Sequence, residues 1–259
     1  MSEKNSEGKR TARERLAVER EKQKSADRRR RALIIGASVA CVLGLAAVIG
    51  VIAANTGRHK GGEKAAGPVV APSGALGKDS LAIPVGKDGA KSTLTVWEDF
   101  RCPACQAFET AYRPTLHELT DSGKLRIEYH LVTLIDGNLR GSGSLRAANA
   151  AACAQDVGRF RDYHDVLYKN QPKETDDAYG NDARLVALAG KVPGLDTAAF
   201  RKCVDDGTHT SWVVKSDKAF QTGGFTGTPT VLLGGKNIYE DRTMTPAKLK
   251  QMVEDAAKG

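Results

Sequence analysis

The chain has 259 residues, 41% of them apolar and only 5% aromatic, with a formal net charge of +8. That length suits one large domain or two small ones. Residues 1–31 hold twelve Lys/Arg against six Asp/Glu, leaving only +2 for the remainder, and no basic patch with interleaved aromatics lies outside that tail, so a nucleic-acid-binding domain is excluded.

Residues 2–27 alternate Lys, Arg and Glu without a wide apolar stripe. That is the pattern of a solvated tail, with attraction to anionic lipid headgroups as a weak addition. From Ala32 to Ala54 the sequence ALIIGASVACVLGLAAVIGVIAA runs for 23 residues without a charge. It is long enough to span a hydrocarbon core of roughly 30 Å. Arg28 to Arg31 abut its start, and such a cluster stays on the cytoplasmic side. The reading is a basic cytoplasmic tail at 1–31 and a single-pass transmembrane anchor at 32–54, with everything after Asn55 outside the cytoplasm. Val51 and Ala53 fit a small-residue cleavage pattern. The run exceeds the roughly 7–15 residues of a signal h-region, however, which favours a retained anchor. Cys41 is a small apolar filler within it. Residues 55–79, rich in Gly, Ala, Lys and Pro, are expected to form a flexible linker to a domain at 80–259.

From Ser80 the pattern changes. AIPVG, KDGA and STLTVWEDF predict two strands around a turn at Asp88-Gly89. The second strand leads into Cys102. Pro103 fits the first turn of a helix, where its missing N–H costs little. Cys105, Phe108, Tyr112, Leu116 and Leu119 then follow at the spacing of a helix with one buried face, which Gly123 stops. Leu125 to Leu134 predicts another strand. Ser144–Ala154, Phe160–Lys169, Ala183–Ala189, Thr197–Val204 and Trp212–Thr222 predict helices, an inserted block at about 141–222. TVLLGGKNIY predicts two short strands joined by a Gly-Gly turn, and Pro246 to about Ala257 a final helix. The fold class is α/β.

The stretch WEDFRCPACQAF carries the chemistry. Two cysteines three apart on the first turn of a helix sit close enough to form a disulfide. Cys102 lies at the helix N-terminus, where unpaired N–H groups and the helix dipole favour an anion. Its thiolate is thereby a better leaving group and a more populated nucleophile. Cys105, one turn in, is more buried and suits a resolving role. A zinc site needs four ligands and one CxxC supplies two. Cys153 and Cys203 are isolated and the histidines show no paired ligand spacing, so no metal is expected. A purely structural 102–105 bridge would close too short a loop to restrict the unfolded chain much.

Strand–CPAC–helix, a helical insertion, then GTPT leading into a strand resembles the thioredoxin superfamily. From Ser80 to the C-terminus it looks most like the extracytoplasmic DsbA-like branch in its membrane-anchored actinobacterial form. The resemblance implies a thioredoxin fold with an inserted helical subdomain, preceded here by the transmembrane helix. It also implies protein thiol–disulfide oxidoreductase activity that needs no cofactor. In that family the proline of the GTPT loop follows a cis bond and the loop lies against the CxxC. Thr228 and Pro229 inherit the role of presenting backbone groups to an extended substrate chain.

The sequence departs from the family in two places. Val96 stands six residues before the first Cys, where many members carry a buried acid. Glu98 and Asp99 are therefore the candidates for proton transfer, with a pair of exposed loop carboxylates as the equal alternative. Pro103-Ala104 offers no imidazolium between the cysteines to depress Cys102, so a couple less oxidising than the strongest oxidases is expected.

Cys153 and Cys203 both fall in the insertion. Outside the cytoplasm they predict a structural disulfide between two insertion helices, contributing on the order of 4 kcal/mol; two separately buried thiols are the alternative. Trp97 is expected in the core beside the active strand. Asp162, His164 and Asp165 are expected to be solvated on a charged helix, and Ser144 to cap one.

Three functions follow. The first is an oxidase that passes its disulfide to cysteine-containing exported proteins. It would be re-oxidised by a quinone-linked membrane oxidoreductase similar to DsbB or VKOR proteins. The second is a reductase or isomerase using the same atoms. The third is a membrane-tethered binding module, which an intact CPAC disfavours.

Overall fold

A computed structural model of the chain describes residues 67–258. The tail at 1–31, the anchor at 32–54 and the linker at 55–66 lie outside the described residues. Among the described residues no helix is long and apolar enough to cross a membrane.

The fold is built on a five-stranded sheet. Strand β1 is Ile83–Val85, β2 Ser92–Glu98, β3 Leu125–Leu131, β4 Thr230–Leu233 and β5 Lys236–Asn237, in the order β1-β3-β2-β4-β5. β2 and β3 run parallel, joined by helix α1, Pro103–Asp121, and every other neighbour is antiparallel. Leu125, Ile127, Tyr129 and Leu131 alternate inward along β3, as a half-buried strand requires. β2 is more completely enclosed, because it is the central strand.

The two strands expected around Asp88-Gly89 both form, but they do not pair with each other. β1 lies on the far side of β3, with Ile83 opposite Tyr129. Both edges of β2 are taken, by β3 and by β4. The chain leaves β1 through Gly86, φ 111°, where a Cβ would stand 2.6 Å from the Leu125 carbonyl oxygen. Only glycine accommodates both that φ and that approach.

The strand expected to reach Leu134 stops at Leu131, and a short helix α2 begins at Leu134 and ends at Leu139. Helices α3 (Gly143–Asp156), α4 (Phe160–Lys169), α5 (Asp182–Ala189), α6 (Ala198–Asp205) and α7 (Thr210–Thr222) complete the insertion, and α8, Pro246–Lys258, closes the chain. The alanines at 147, 148, 150, 151, 152 and 154 are all buried. α3 is thus apolar nearly all round and forms the centre of the insertion, as such a helix must.

Two expectations are corrected here. Ser144 does not cap α3. Ser142 stands at the cap, and carboxylates from elsewhere take the free N–H groups. Asp177 accepts from Ser142 and Gly143, and Asp136 from Ser144 and Leu145, at 2.8–3.0 Å. Nor is the expected linker free up to residue 79. From Gly67 on it is a docked strap. The Ser73 N–H donates to Asp156 Oδ1 at 2.8 Å and Gln155 Nε2 donates to the Ser73 carbonyl at 2.9 Å. The His209 ring nitrogens lie 2.9 Å from the Val70 carbonyl oxygen and 2.8 Å from Asp156 Oδ2. Leu76 bridges Ala82. The strap's backbone groups find partners at the end of α3 and the start of α7, which composition does not announce.

Candidate active site

β2 delivers the chain to a tight loop, Asp99–Cys102, that ends as the cap of α1. Cys102 has extended backbone (φ −74°, ψ 119°) and Pro103 follows at the first helical position. The loop is held from four sides. The Cys102 N–H donates to the Asp99 carbonyl at 3.0 Å. Asp99 accepts from the Arg101 and Ile135 N–H groups, both at 2.8 Å. Gln171 Nε2 donates to the carbonyls of Phe100 and Cys102 at 2.9 and 3.0 Å. The Arg101 side chain turns inward to Asp136 and Asp177.

Cys102 is 6% exposed and Cys105 is fully buried, and both are free thiols. Cys102 Sγ donates to the Thr228 carbonyl at 3.3 Å across 126 residues of sequence, and the Thr228–Pro229 bond is cis. The structure thus places Cys102, Cys105, Thr228 and Pro229 together. The Cys102 thiol is lowered to about 6, first by the hydrogen bond from Cys105, against partial burial, and then by the Thr228 side chain and the N–H groups of Cys105 and Ala104. Cys105 is driven the other way, well above an ordinary thiol, by burial first, then by Cys102 and by the charge of Glu98. The environment thus favours ionisation of one sulfur and protonation of its neighbour, the asymmetry a dithiol needs to exchange disulfides in order.

Glu98 and Asp99 are both buried, which overturns the exposed-carboxylate alternative. They are β-strand and loop residues under a helical insertion, not surface groups. Asp99 is pushed up to about 7, by burial above all, against its two backbone hydrogen bonds. Its oxygens brace the loop. Glu98 faces inward, with Oε1 2.8 Å from Nε2 of His164. His164 is therefore not solvated, contrary to expectation. It sits on α4 with Phe160, Tyr163 and Leu167, all buried, on the apolar stripe rather than the charged face. Asp165 is half-buried, paired with Arg113 at 3.1 Å and His117 at 3.2 Å, while Asp162 is exposed. Trp97 packs with Val132 and Phe220 and stacks on His130, ring centroids 4.0 Å apart.

Cys153 and Cys203 are joined by a disulfide that ties α3 to α6. Two groups bring three ligand-type atoms within 4.8 Å of one another: Glu98, Glu109 and His164, and Cys153, Cys203 and His209. In the first the imidazole is already engaged by Glu98, and in the second both sulfurs are consumed by the disulfide.

Sequence reasoning missed Glu109, His164, Arg101 and Gln171. A signal existed for the first two. Glu109 follows Cys105 by four residues and so shares its helix face, and His164 falls at the i+4 position of the stripe begun by Phe160. No local pattern marks Arg101 or Gln171, whose partners lie about 35 to 75 residues away.

A parallel-centred sheet, a helical insertion and an unequal pair of sulfurs facing a cis-proline loop define a class: the protein is a thiol–disulfide oxidoreductase of thioredoxin fold. The thioredoxin family model matches residues 79–255. The chain is 28% identical over 158 residues to the probable disulfide bond formation protein D of Bacillus cereus, covering 61% of this chain and 72% of that protein. It is 25% identical over 178 residues to disulfide bond formation protein D of Bacillus subtilis, covering 68% and 77%. The structure superposes on oxidised DsbA of Mycobacterium tuberculosis with a TM-score of 0.60 at 29% identity, over 69% of this chain and 93% of that one. The chain belongs to the thioredoxin family, on its DsbA-like side.

Proposed function

We propose that this chain is an extracytoplasmic, membrane-anchored oxidase that forms disulfides in exported proteins through Cys102 and Cys105. The anchor is residues 32–54, behind the cytoplasmic tail at 1–31. The observation that carries the reading is the unequal pair of sulfurs at the start of α1, with Cys102 lowered to about 6 and Cys105 raised, facing the cis-proline loop. A thiolate favoured in the reduced protein stabilises that form, and a stabilised reduced form makes the disulfide a better electron acceptor.

In the cycle a client thiolate attacks Cys102 Sγ of the disulfide. The Cys102–Cys105 bond breaks, its electron pair goes to Cys105 Sγ, and that sulfur takes a proton. The client backbone lies extended beside Thr228 and Pro229. A second client thiolate then attacks the client sulfur of the mixed disulfide and Cys102 leaves as the favoured thiolate. The client has lost two electrons and two protons, and the pair is reduced. A quinone-linked membrane oxidoreductase of DsbB or VKOR type returns it to the disulfide. Glu98 and Asp99 are the nearest carboxylates upstream of the pair. Asp99 braces the loop, and Glu98 remains the candidate for proton transfer. The Cys153–Cys203 bridge is structural.

The test is the equilibrium of the Cys102–Cys105 pair with glutathione. A potential well above the thioredoxin value of about −270 mV, toward the roughly −120 mV of DsbA, supports the oxidase; a thioredoxin-like value reassigns the chain as a reductase. Cys105→Ala expressed in the exported compartment should accumulate mixed disulfides with client proteins. A binding module would accumulate none.

A further inference from the structure

A buried charge cluster joins the end of β2, the turn of α1 that follows Cys105, and α4. Glu98 comes from β2, Glu109 from α1 and His164 from α4; each is almost wholly buried, and their ligand atoms lie within 4.8 Å of one another. His164 Nε2 is 2.8 Å from Glu98 Oε1. Glu98 Oε2 and Glu109 Oε1 have no hydrogen-bond partner. Burying two carboxylates with unmet oxygens is costly unless a cation compensates them. Among the described residues His164 is the cation in contact with Glu98.

The surroundings of His164 are few in kind. Phe100, Tyr129, Phe160 and Tyr168 ring the imidazole with centroids 4.6–5.7 Å away. Asp165 Oδ1 lies 3.7 Å from Nδ1 on its own helix, and Asp165 is in turn paired with Arg113 and His117 of α1. The carboxylates favour an imidazolium. Against the cost of burial, Glu98 and Glu109 raise His164 to about 10, while burial pushes Glu109 up to about 8.

The cluster reaches the sulfurs. Glu98 is among the charges that raise Cys105, and Cys105 and Glu109 are i and i+4 on one buried helix face. We propose that His164 is a positioning residue for the redox pair: carried by the insertion, it holds Glu98 as an ion pair against Glu109, on the buried face of α1 that also carries Cys105, and so sets how readily Cys102–Cys105 accepts electrons. The inference rests on Cys102–Cys105 being the redox pair.

The signs follow from the charges. Removing the cation leaves an anion near the pair, which disfavours the thiolate form and makes the disulfide a weaker electron acceptor. Removing the anion does the reverse. The experiment is the glutathione equilibrium of the full chain for wild type, His164→Gln, Glu98→Gln, the double variant and His164→Lys. His164→Gln should shift the equilibrium constant toward the disulfide about tenfold, equivalent to about 30 mV. Glu98→Gln should shift it toward the dithiol. The double variant should return near wild type and His164→Lys should restore most of the loss. Should His164→Gln fail to fold, Glu98→Gln and His164→Lys retain the sign test, since general loosening of the site predicts no fixed direction. Shifts of both single variants in one direction, or none beyond about twofold, overturn the inference. A wild-type protein that fails to equilibrate with glutathione overturns instead the assignment of the pair.

Discussion

Arg101 Nη1 lies 2.7 Å from Asp136 Oδ1, so the residue that precedes Cys102 is ion-paired to the first helix beyond β3. The same nitrogen is 2.9 Å from Asp177, and the guanidinium also donates to the carbonyls of Arg140 and Glu174. Arg101 is fully buried, and truncating one member of a buried pair strands the other. Arg101→Ala is therefore expected to lose about 3–5 kcal/mol in urea unfolding. Arg101→Lys should recover little, because an ammonium cannot reproduce the planar fork. Unchanged stability in the alanine variant would refute the bracing role.

The lowered Cys102 thiol sets a pH profile. Iodoacetamide should label Cys102 of the reduced protein with half-maximal rate near pH 6, while Cys105 stays unlabelled in the folded state. Cys105→Ala should move the Cys102 midpoint upward, because the Cys105 hydrogen bond is the largest cause of the shift. Linkage gives a second readout. A thiol whose folded value is depressed contributes stability present above the unfolded value of about 9 and lost as pH falls toward 6. The reduced protein should thus gain stability over that window, and Cys102→Ser should not.

Glu109 titrates in the opposite sense. Burial raises it to about 8, so between its unfolded value and pH 8 the folded state binds the proton that the unfolded state has released. Stability falls across that window. Glu109→Gln removes the group and keeps its shape. Urea unfolding at pH 5 and pH 8 should show a smaller drop for the variant than for wild type, and an equal drop would place the ionisation elsewhere.

The Cys153–Cys203 bridge closes a separation of 50 residues. Replacing both cysteines by alanine should cost on the order of 4 kcal/mol on the chain-entropy account, seen as a lower unfolding midpoint. The glutathione equilibrium of Cys102–Cys105 should remain at the wild-type value. A shift in that equilibrium would mean the insertion's crosslink reaches the redox pair.

Much of this architecture was legible where a local period met a hard stop. Phe160–Lys169 was readable to the residue because Phe160, Tyr163 and Leu167 recur on one face. The strand before Cys102 and the helix after it were equally plain. The pairing of β1 was not, because three residues carry too little pattern to choose a neighbour. His164 was misplaced because a histidine beside Asp162 and Asp165 reads as surface when charge is weighed above position in the stripe. Residues 67–79 read as linker because their hydrogen bonds are made largely by backbone atoms, which carry no side-chain signature.

That docked strap has a mechanical consequence. It is gripped by Asp156 at the end of α3 and by His209 at the start of α7, whereas Thr228 follows the opposite end of α7 after a short loop. The 13 residues of α7 separate those two ends by about 20 Å. The strap from Gly67 is thus fastened at the end of the insertion remote from Thr228, so loosening it through Asp156 or His209 would leave the contact between Cys102 and the cis-proline loop in place.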